Sequence, residues 1–247
     1  MHLKLNKTFL SKRPSVSSFF IAVLSLATLL LFFGLDQRDL SASGELVFEQ
    51  KEYWRAFTTT LLHADLNHLA HNAFFFTGLA ALLHNYFGYW IFPVLSFFIG
   101  GLINLLALSF YPPEVHLVGV SGVIYFMATF WLTLYILIEK RQTLFIRLIH
   151  AIAVSLIFLF PQVFQPEVSY LAHGLGAVMG IPTGIIYYVI NRPRIKACEE
   201  WIEIKIGQKE LEMEEIILSD PSFSHLKQPE EDELSGPSSD SSRCQQH

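Results

Sequence analysis

The chain has 247 residues and a formal net charge of −5 at pH 7, and 52% of its residues are hydrophobic whereas only 16% are charged. Soluble domains carry about 25% charged residues, but here no Asp, Glu, Lys or Arg occurs between Asp65 and Glu114. Because about 20 consecutive apolar residues suffice to cross a bilayer, this composition excludes an ordinary soluble domain and predicts a polytopic membrane protein.

Six apolar spans follow one another along the chain, and each is predicted to form a membrane helix. They cover approximately residues 17–35, 66–84, 87–110, 116–138, 144–160 and 169–190. Basic residues precede the first span, flank the connection after the fourth and follow the sixth, whereas the long first loop is net acidic. By the positive-inside rule both termini are then cytoplasmic. The sequence therefore predicts an all-α fold, a bundle of six transmembrane helices.

The segments outside this bundle differ from it in composition. Residues 1–16 form a short basic segment that we expect in the cytoplasm, and the bundle occupies residues 17–192. Residues 193–218 carry apolar side chains at helical spacing and are predicted to form an amphipathic cytoplasmic helix. Residues 219–247 have the composition of a disordered acidic tail.

Polar side chains are costly inside a bilayer, so their positions mark packing contacts or a functional site. His68 and Asn72 lie in the first turns of the second span, four residues apart and hence on one helix face. Ser121 lies in the first turns of the fourth span and His173 in the first turn of the sixth. Because these three helices run in the same direction, we expect the four side chains at one depth, near the extracytoplasmic face.

Each of these residues also has a simpler interpretation. A serine between Gly119 and Gly122 can serve close helix packing, and a histidine at a helix end can be a hydrogen-bonded interface residue. A serine nucleophile needs a base within hydrogen-bond reach, so the common depth of Ser121 and His173 favours a nucleophile and its base. The sixth span also carries a small residue at every fourth position, which allows close approach to a neighbour: Ala172, Gly176, Gly180 and Gly184.

Together these motifs resemble those of the rhomboid family of intramembrane serine proteases. The resemblance covers roughly residues 45–190, in the order and topology of the six-helix bacterial type. Four motifs carry it: GVSG at 119–122 followed by Tyr125; His63, His68 and Asn72 at the family's spacing; the pair Trp54 and Arg55; and Ala172–His173 followed by Gly176 and Gly180.

The resemblance implies a serine endopeptidase with a Ser–His dyad and no acidic third member. Ser121 would attack the scissile carbonyl group, and His173 would take the serine proton and pass it to the leaving amine. Tyr125 would stack on His173 and orient it.

The resemblance also implies an oxyanion hole formed by the side chains of His68 and Asn72 with the backbone N–H of Ser121. His63 would support the outer rim of the site. Substrates would be transmembrane proteins cleaved near the extracytoplasmic side, and the chain would reside in the bacterial inner membrane. An alternative stays open, namely a catalytically inactive rhomboid-like protein that binds membrane clients.

Other partners and cofactors are not expected. A zinc protease would need H-E-x-x-H, but His68 and His71 are three residues apart with no glutamate between them. An aspartyl protease would need two intramembrane aspartates, and the six spans contain none. No basic patch with interleaved aromatic residues indicates nucleic-acid binding. We therefore expect no metal, no cofactor and no nucleic acid, but contact with the lipid bilayer.

Overall fold

The apolar spans form long helices in the structure, a computed structural model that describes residues 2–159 and 169–204. In chain order the α-helices are α1 (Val16–Phe33), α2 (Gln37–Leu40), α3 (Arg55–Thr58), α4 (Leu66–Phe87), α5 (Ser96–Leu108), α6 (Ser121–Ile138), α7 (Leu144–Leu159) and α8 (Tyr170–Ala197). Each of the six predicted spans thus contains a long helix, and α2 and α3 are single turns in the first loop. The loop between α7 and α8 falls on residues 160–168, outside the described residues.

Length and composition identify which of these helices can cross a membrane. Among the described residues, four segments are long and apolar enough: Val16–Phe33, Trp90–Leu108, Ser121–Ile138 and Tyr170–Ala197. The apolar helix Leu144–Ile157 is shorter. Helix α4 has 22 residues, but three histidines and three asparagines within it lower its hydropathy. The fold is that of a polytopic helical membrane protein, and His68 and Asn72 are two of the polar residues of α4.

Helices α6 and α8 run side by side in the same direction and pack through glycines of α8. A Cβ atom at Gly176 would overlap the carbonyl oxygen of Gly122, and one at Gly180 would overlap the Thr129 hydroxyl. Further along α8, a Cβ at Gly184 would lie 3.0 Å from the Thr133 Cβ. In lipid, helices associate by van der Waals contact rather than by the hydrophobic effect. Because glycine has no side chain, the backbones of α6 and α8 can touch at these positions.

Helix α6 begins at Ser121 rather than near residue 116, where the apolar run begins. Two strands explain the difference, because β2 (Ala42–Ser43) in the first loop pairs antiparallel with β3 (His116–Leu117). Gly119 then turns the chain with a φ of +118°, a conformation that residues with a side chain rarely adopt. The prediction that the fourth helix starts near residue 116 was wrong, because α6 starts at Ser121. The GVSG motif therefore lies at the start of this helix.

A second small sheet lies at the opposite end of the bundle. Strand β1 (His2–Lys7) pairs antiparallel with β4 (Glu200–Ile204), so the prediction of a helix over residues 193–218 was wrong for residues 200–204. Aromatic and β-branched residues in EWIEI favour a strand, and the N-terminal segment supplies its partner. Residues 193–197 are helical, as predicted, but they are the last residues of α8. Residues 205–218 and the predicted tail, 219–247, are outside the described residues.

The N-terminal segment also contacts the last turns of the long helices at this end. Glu139, which follows α6, is buried and pairs with Arg141 at 2.6 Å. The Thr8 hydroxyl donates to the same carboxylate at 3.5 Å. The guanidinium of Arg194 in α8 lies over the Phe9 ring, 5.8 Å from its centroid. These contacts hold the ends of α6 and α8 together at the end of the bundle remote from Ser121.

We predict that alanine at the contact glycines destabilises the protein. Gly176→Ala and Gly180→Ala each place a Cβ against another helix, and overpacking of this kind costs about 1–3 kcal/mol. Gly174→Ala is the matched control, because no atom of the described residues lies within 4 Å of its Cβ position apart from its chain neighbours and the backbone of its own helix. Thermal unfolding of all three variants in one detergent should show lower Tm values for the first two only. Equal Tm values in all three would contradict the glycine contact.

Candidate active site

Ser121 is the first residue of α6, and only Val120 separates it from the turn at Gly119. The N–H groups in the first turn of a helix lack intrahelical acceptors, and the helix dipole favours negative charge there. The Ser121 side chain is partly exposed. The serine hydroxyl thus lies accessible beside backbone donors that can bind an anion.

His173 lies near the start of α8 and is only 6% exposed. The Ser169 side chain caps this helix by accepting from the Ala172 N–H at 3.2 Å, and the Ser169 carbonyl accepts from the His173 N–H at 3.2 Å. The rings of Tyr125 and His173 stack, with centroids 4.3 Å apart and planes inclined by 17°. A stacked phenol fixes the plane of the imidazole.

The contact between α6 and α8 brings the serine and the histidine to adjoining positions. A Cβ placed on Gly122 would lie 3.4 Å from the Ala172 carbonyl oxygen and 3.7 Å from its Cβ. Gly122 directly follows Ser121 and Ala172 directly precedes His173. The two polar residues therefore lie next to the point where the helices touch.

His68 and Asn72 reach the same turn from α4. A Cβ on Gly119 would lie only 2.9 Å from Cε1 of His68 and 3.6 Å from Nδ2 of Asn72. Asn72 is 1% exposed, and its Nδ2 has no hydrogen-bond partner among the described residues. An unsatisfied buried donor costs about 1–3 kcal/mol, so a donor left in this state needs an explanation, and a catalytic role is one.

His63 supports this group from the first loop. It is fully buried, and its ring meets the His68 ring edge-on with centroids 5.1 Å apart. Burial, and next the neighbouring His68, lower the pKa of His63 from 6.5 to about 4. The imidazole of His63 is therefore uncharged at neutral pH and packs against His68 without repelling it.

Trp54 and Arg55 organise the first loop. The Arg55 guanidinium lies over the Trp54 ring, 4.7 Å from its centroid, and pairs with Glu52. Its Nη1 donates to the carbonyl oxygens of Asp39 at 2.7 Å and Ser41 at 3.2 Å. The pair thus folds the segment that leads into β2.

The sequence analysis missed Asn104, a buried residue of α5. Its Nδ2 donates to the Ala56 carbonyl at 2.8 Å and to the Thr60 hydroxyl at 3.0 Å. These bonds fix the first loop against the bundle beneath the site. A polar residue inside an apolar span was the available signal, but its partners are distant in sequence.

The fold and the site together define a polytopic helical membrane protein with a serine at a helix start, a stacked histidine and converging donors. A family model of the Rhomboid domain matches residues 50–190, more than half of the chain. The protein belongs to the rhomboid family. It has no significant match among curated proteins.

We predict that His63 makes the folded protein sensitive to acid. The unfolded chain protonates His63 near pH 6.5 but the folded protein only near pH 4, so stability is lost as the pH falls between these values. The shift corresponds to a loss on the order of 3 kcal/mol. His63→Gln should lower Tm at pH 7 through lost packing and should show a shallower fall in Tm between pH 7 and pH 4.

The matched control is His71→Gln, because His71 is an exposed residue of α4. The Tm of the His71→Gln variant should change with pH as the Tm of the wild type does. If His63→Gln and wild type lose Tm in parallel over this range, the buried neutral imidazole is not the cause of the acid sensitivity.

Proposed function

We propose that this protein is an intramembrane serine endopeptidase that cleaves transmembrane proteins through a Ser121–His173 dyad. The observation that carries the proposal is the buried Nδ2 of Asn72 beside the Ser121 turn, which lacks an acceptor within residues 2–159 and 169–204. If Asn72 served packing alone, its unsatisfied amide would destabilise the folded protein without any compensating gain. An enzyme uses it in the transition state, when a carbonyl oxygen becomes an oxyanion.

Ser121 is the nucleophile of this reaction. Its hydroxyl oxygen attacks the scissile carbonyl carbon while the imidazole of His173 removes the hydroxyl proton. His173 then donates that proton to the leaving amine, and water hydrolyses the acyl-enzyme by the reverse sequence. Tyr125 holds the imidazole plane through its stacked ring, a role that the acidic member of a triad has in other serine proteases.

Three donors bind the oxyanion in this mechanism. They are the Asn72 amide, the His68 imidazole and the backbone N–H of Ser121. The close approach of His68 and Asn72 to Gly119 supports this assignment, because the Gly119 turn sets the position of the Ser121 N–H. Removal of one such donor costs about 10²–10³-fold in kcat in serine proteases.

The substrates proposed are transmembrane helices whose ends can unwind. A peptide bond inside a regular helix has its carbonyl group hydrogen-bonded and shielded. The site lies at the ends of α4, α6 and α8 opposite the N-terminal segment, and the basic N-terminus favours placing that segment in the cytoplasm. We therefore propose cleavage near the extracytoplasmic face of the bacterial inner membrane, with both termini cytoplasmic.

We predict that purified wild-type protein in liposomes cleaves members of a panel of single-span substrates. Ser121→Ala should abolish cleavage, and Asn72→Ala should lower kcat by about 10²–10³-fold with little change in KM. A fluorophosphonate probe should label Ser121. Ser109→Ala is the control, because Ser109 is an exposed residue at the end of α5 whose hydroxyl donates to the Leu106 carbonyl.

The same experiment distinguishes the inactive alternative. If wild type and Ser121→Ala bind the substrates equally, cleave none of them and take up no probe, the protein is a client-binding relative. If the probe labels a serine other than Ser121, the assignment of the nucleophile is wrong.

A further inference from the structure

One residue of the first loop bonds to both ends of the turn that precedes Ser121. Thr59 is 0% exposed and lies in the short 3-10 turn Thr59–Leu61. Its backbone carbonyl accepts from the Gly119 N–H at 3.1 Å. Its hydroxyl donates to the Leu117 carbonyl and accepts from the Ala42 N–H at 3.3 Å. Both the donor and the acceptor capacity of this hydroxyl are used.

These bonds bracket the segment in which the chain changes from strand to helix. Leu117 is the last residue of β3, and Gly119 holds the φ of +118° that directs the chain into α6. The His68 ring also approaches this glycine, because a Cβ on Gly119 would lie 2.9 Å from its Cε1. A displacement of this turn would move the Ser121 N–H relative to the side-chain donors of α4.

Thr59 is itself held in place from two sides. Asn104 bonds to the carbonyl of Ala56, three residues before Thr59, and to the hydroxyl of the next residue, Thr60. Asn104 belongs to α5, so the turn around Thr59 is fixed to the bundle rather than to the surface. The segment that carries Thr59 is thus anchored to α5, and the bonds from Thr59 connect the Gly119 turn to this anchored segment.

We propose that Thr59 is a positioning residue for the nucleophile turn. It acts through Leu117 and Gly119 and does not contact the substrate. A side chain at this position needs a hydroxyl that donates and accepts at once, which serine supplies and valine does not. The activity part of this inference rests on the proposed function.

The test compares Thr59→Val, which keeps the shape of the side chain, with Thr59→Ser, which keeps the hydroxyl. Misplacement of a reacting group by about 1 Å can cost about 10²-fold in rate, so Thr59→Val should lose about 10–10²-fold in kcat with little change in KM. Thr59→Ser should retain most of the wild-type kcat. Thr59→Cys, whose thiol is a weak donor, should be intermediate.

Thr58→Val is the matched control. The Thr58 hydroxyl donates to the carbonyls of Leu40 at 2.9 Å and Arg55 at 3.3 Å, so this variant also removes a hydroxyl bond from the first loop. Both valine variants should lower Tm, because each removes a hydroxyl hydrogen bond of the first loop. Only Thr59→Val should lower kcat and the rate of fluorophosphonate labelling.

Hydrogen exchange at the Gly119 amide separates this inference from the proposed function, because it needs no activity. Exchange should be faster in Thr59→Val than in Thr58→Val and close to wild type in Thr59→Ser. Equal exchange and equal kcat in the two valine variants would overturn the inference, as would a Thr59→Ser variant as slow as Thr59→Val. A wild-type protein without activity but with the expected exchange pattern would refute the proposed function alone.

Discussion

Backbone contact between α6 and α8 is the constraint on which the site depends. Lipid supplies no hydrophobic force between helices, so their separation is set by the side chains at the contact. Gly176 meets the carbonyl of Gly122, which directly follows Ser121, and His173 lies about one turn before Gly176. A hydroxyl and its base must approach to about 2.6–3.2 Å. Small residues along α8 are therefore a geometric requirement of the proposed dyad.

The remaining parts of the site depend on a second contact, between the first loop and the start of α6. Strand β2 pairs with β3, and Thr59 bonds to the turn that follows β3, so α6 begins only at Ser121. The same contacts orient the first N–H groups of α6. Helix α4 supplies His68 and Asn72 to the same turn. The Asn72 amide, unsatisfied within the described part of the chain, is a local cost that the proposed reaction turns into transition-state binding.

Sequence reasoning was most informative where the physics is local. Charge-free apolar runs predicted the long helices, and four-residue spacing placed Gly176 and Gly180 on one face of α8, where the structure has them. Sequence reasoning failed where segments that are far apart in the sequence contact each other. The strand Glu200–Ile204 forms because the N-terminus provides a partner, and Thr59 acquires its role only when the first loop reaches α6. Neither pairing is visible in a local pattern.

The central claim is that Ser121 and His173 form one reactive pair across the α6–α8 contact. Its most direct measurement is peptide mapping of the intact protein after treatment with a 4-chloroisocoumarin, which acylates a serine and can then alkylate a base within reach. We expect a single adduct that joins the peptides containing Ser121 and His173. An adduct that joins Ser121 to a different histidine, or one formed on another serine, would contradict the account.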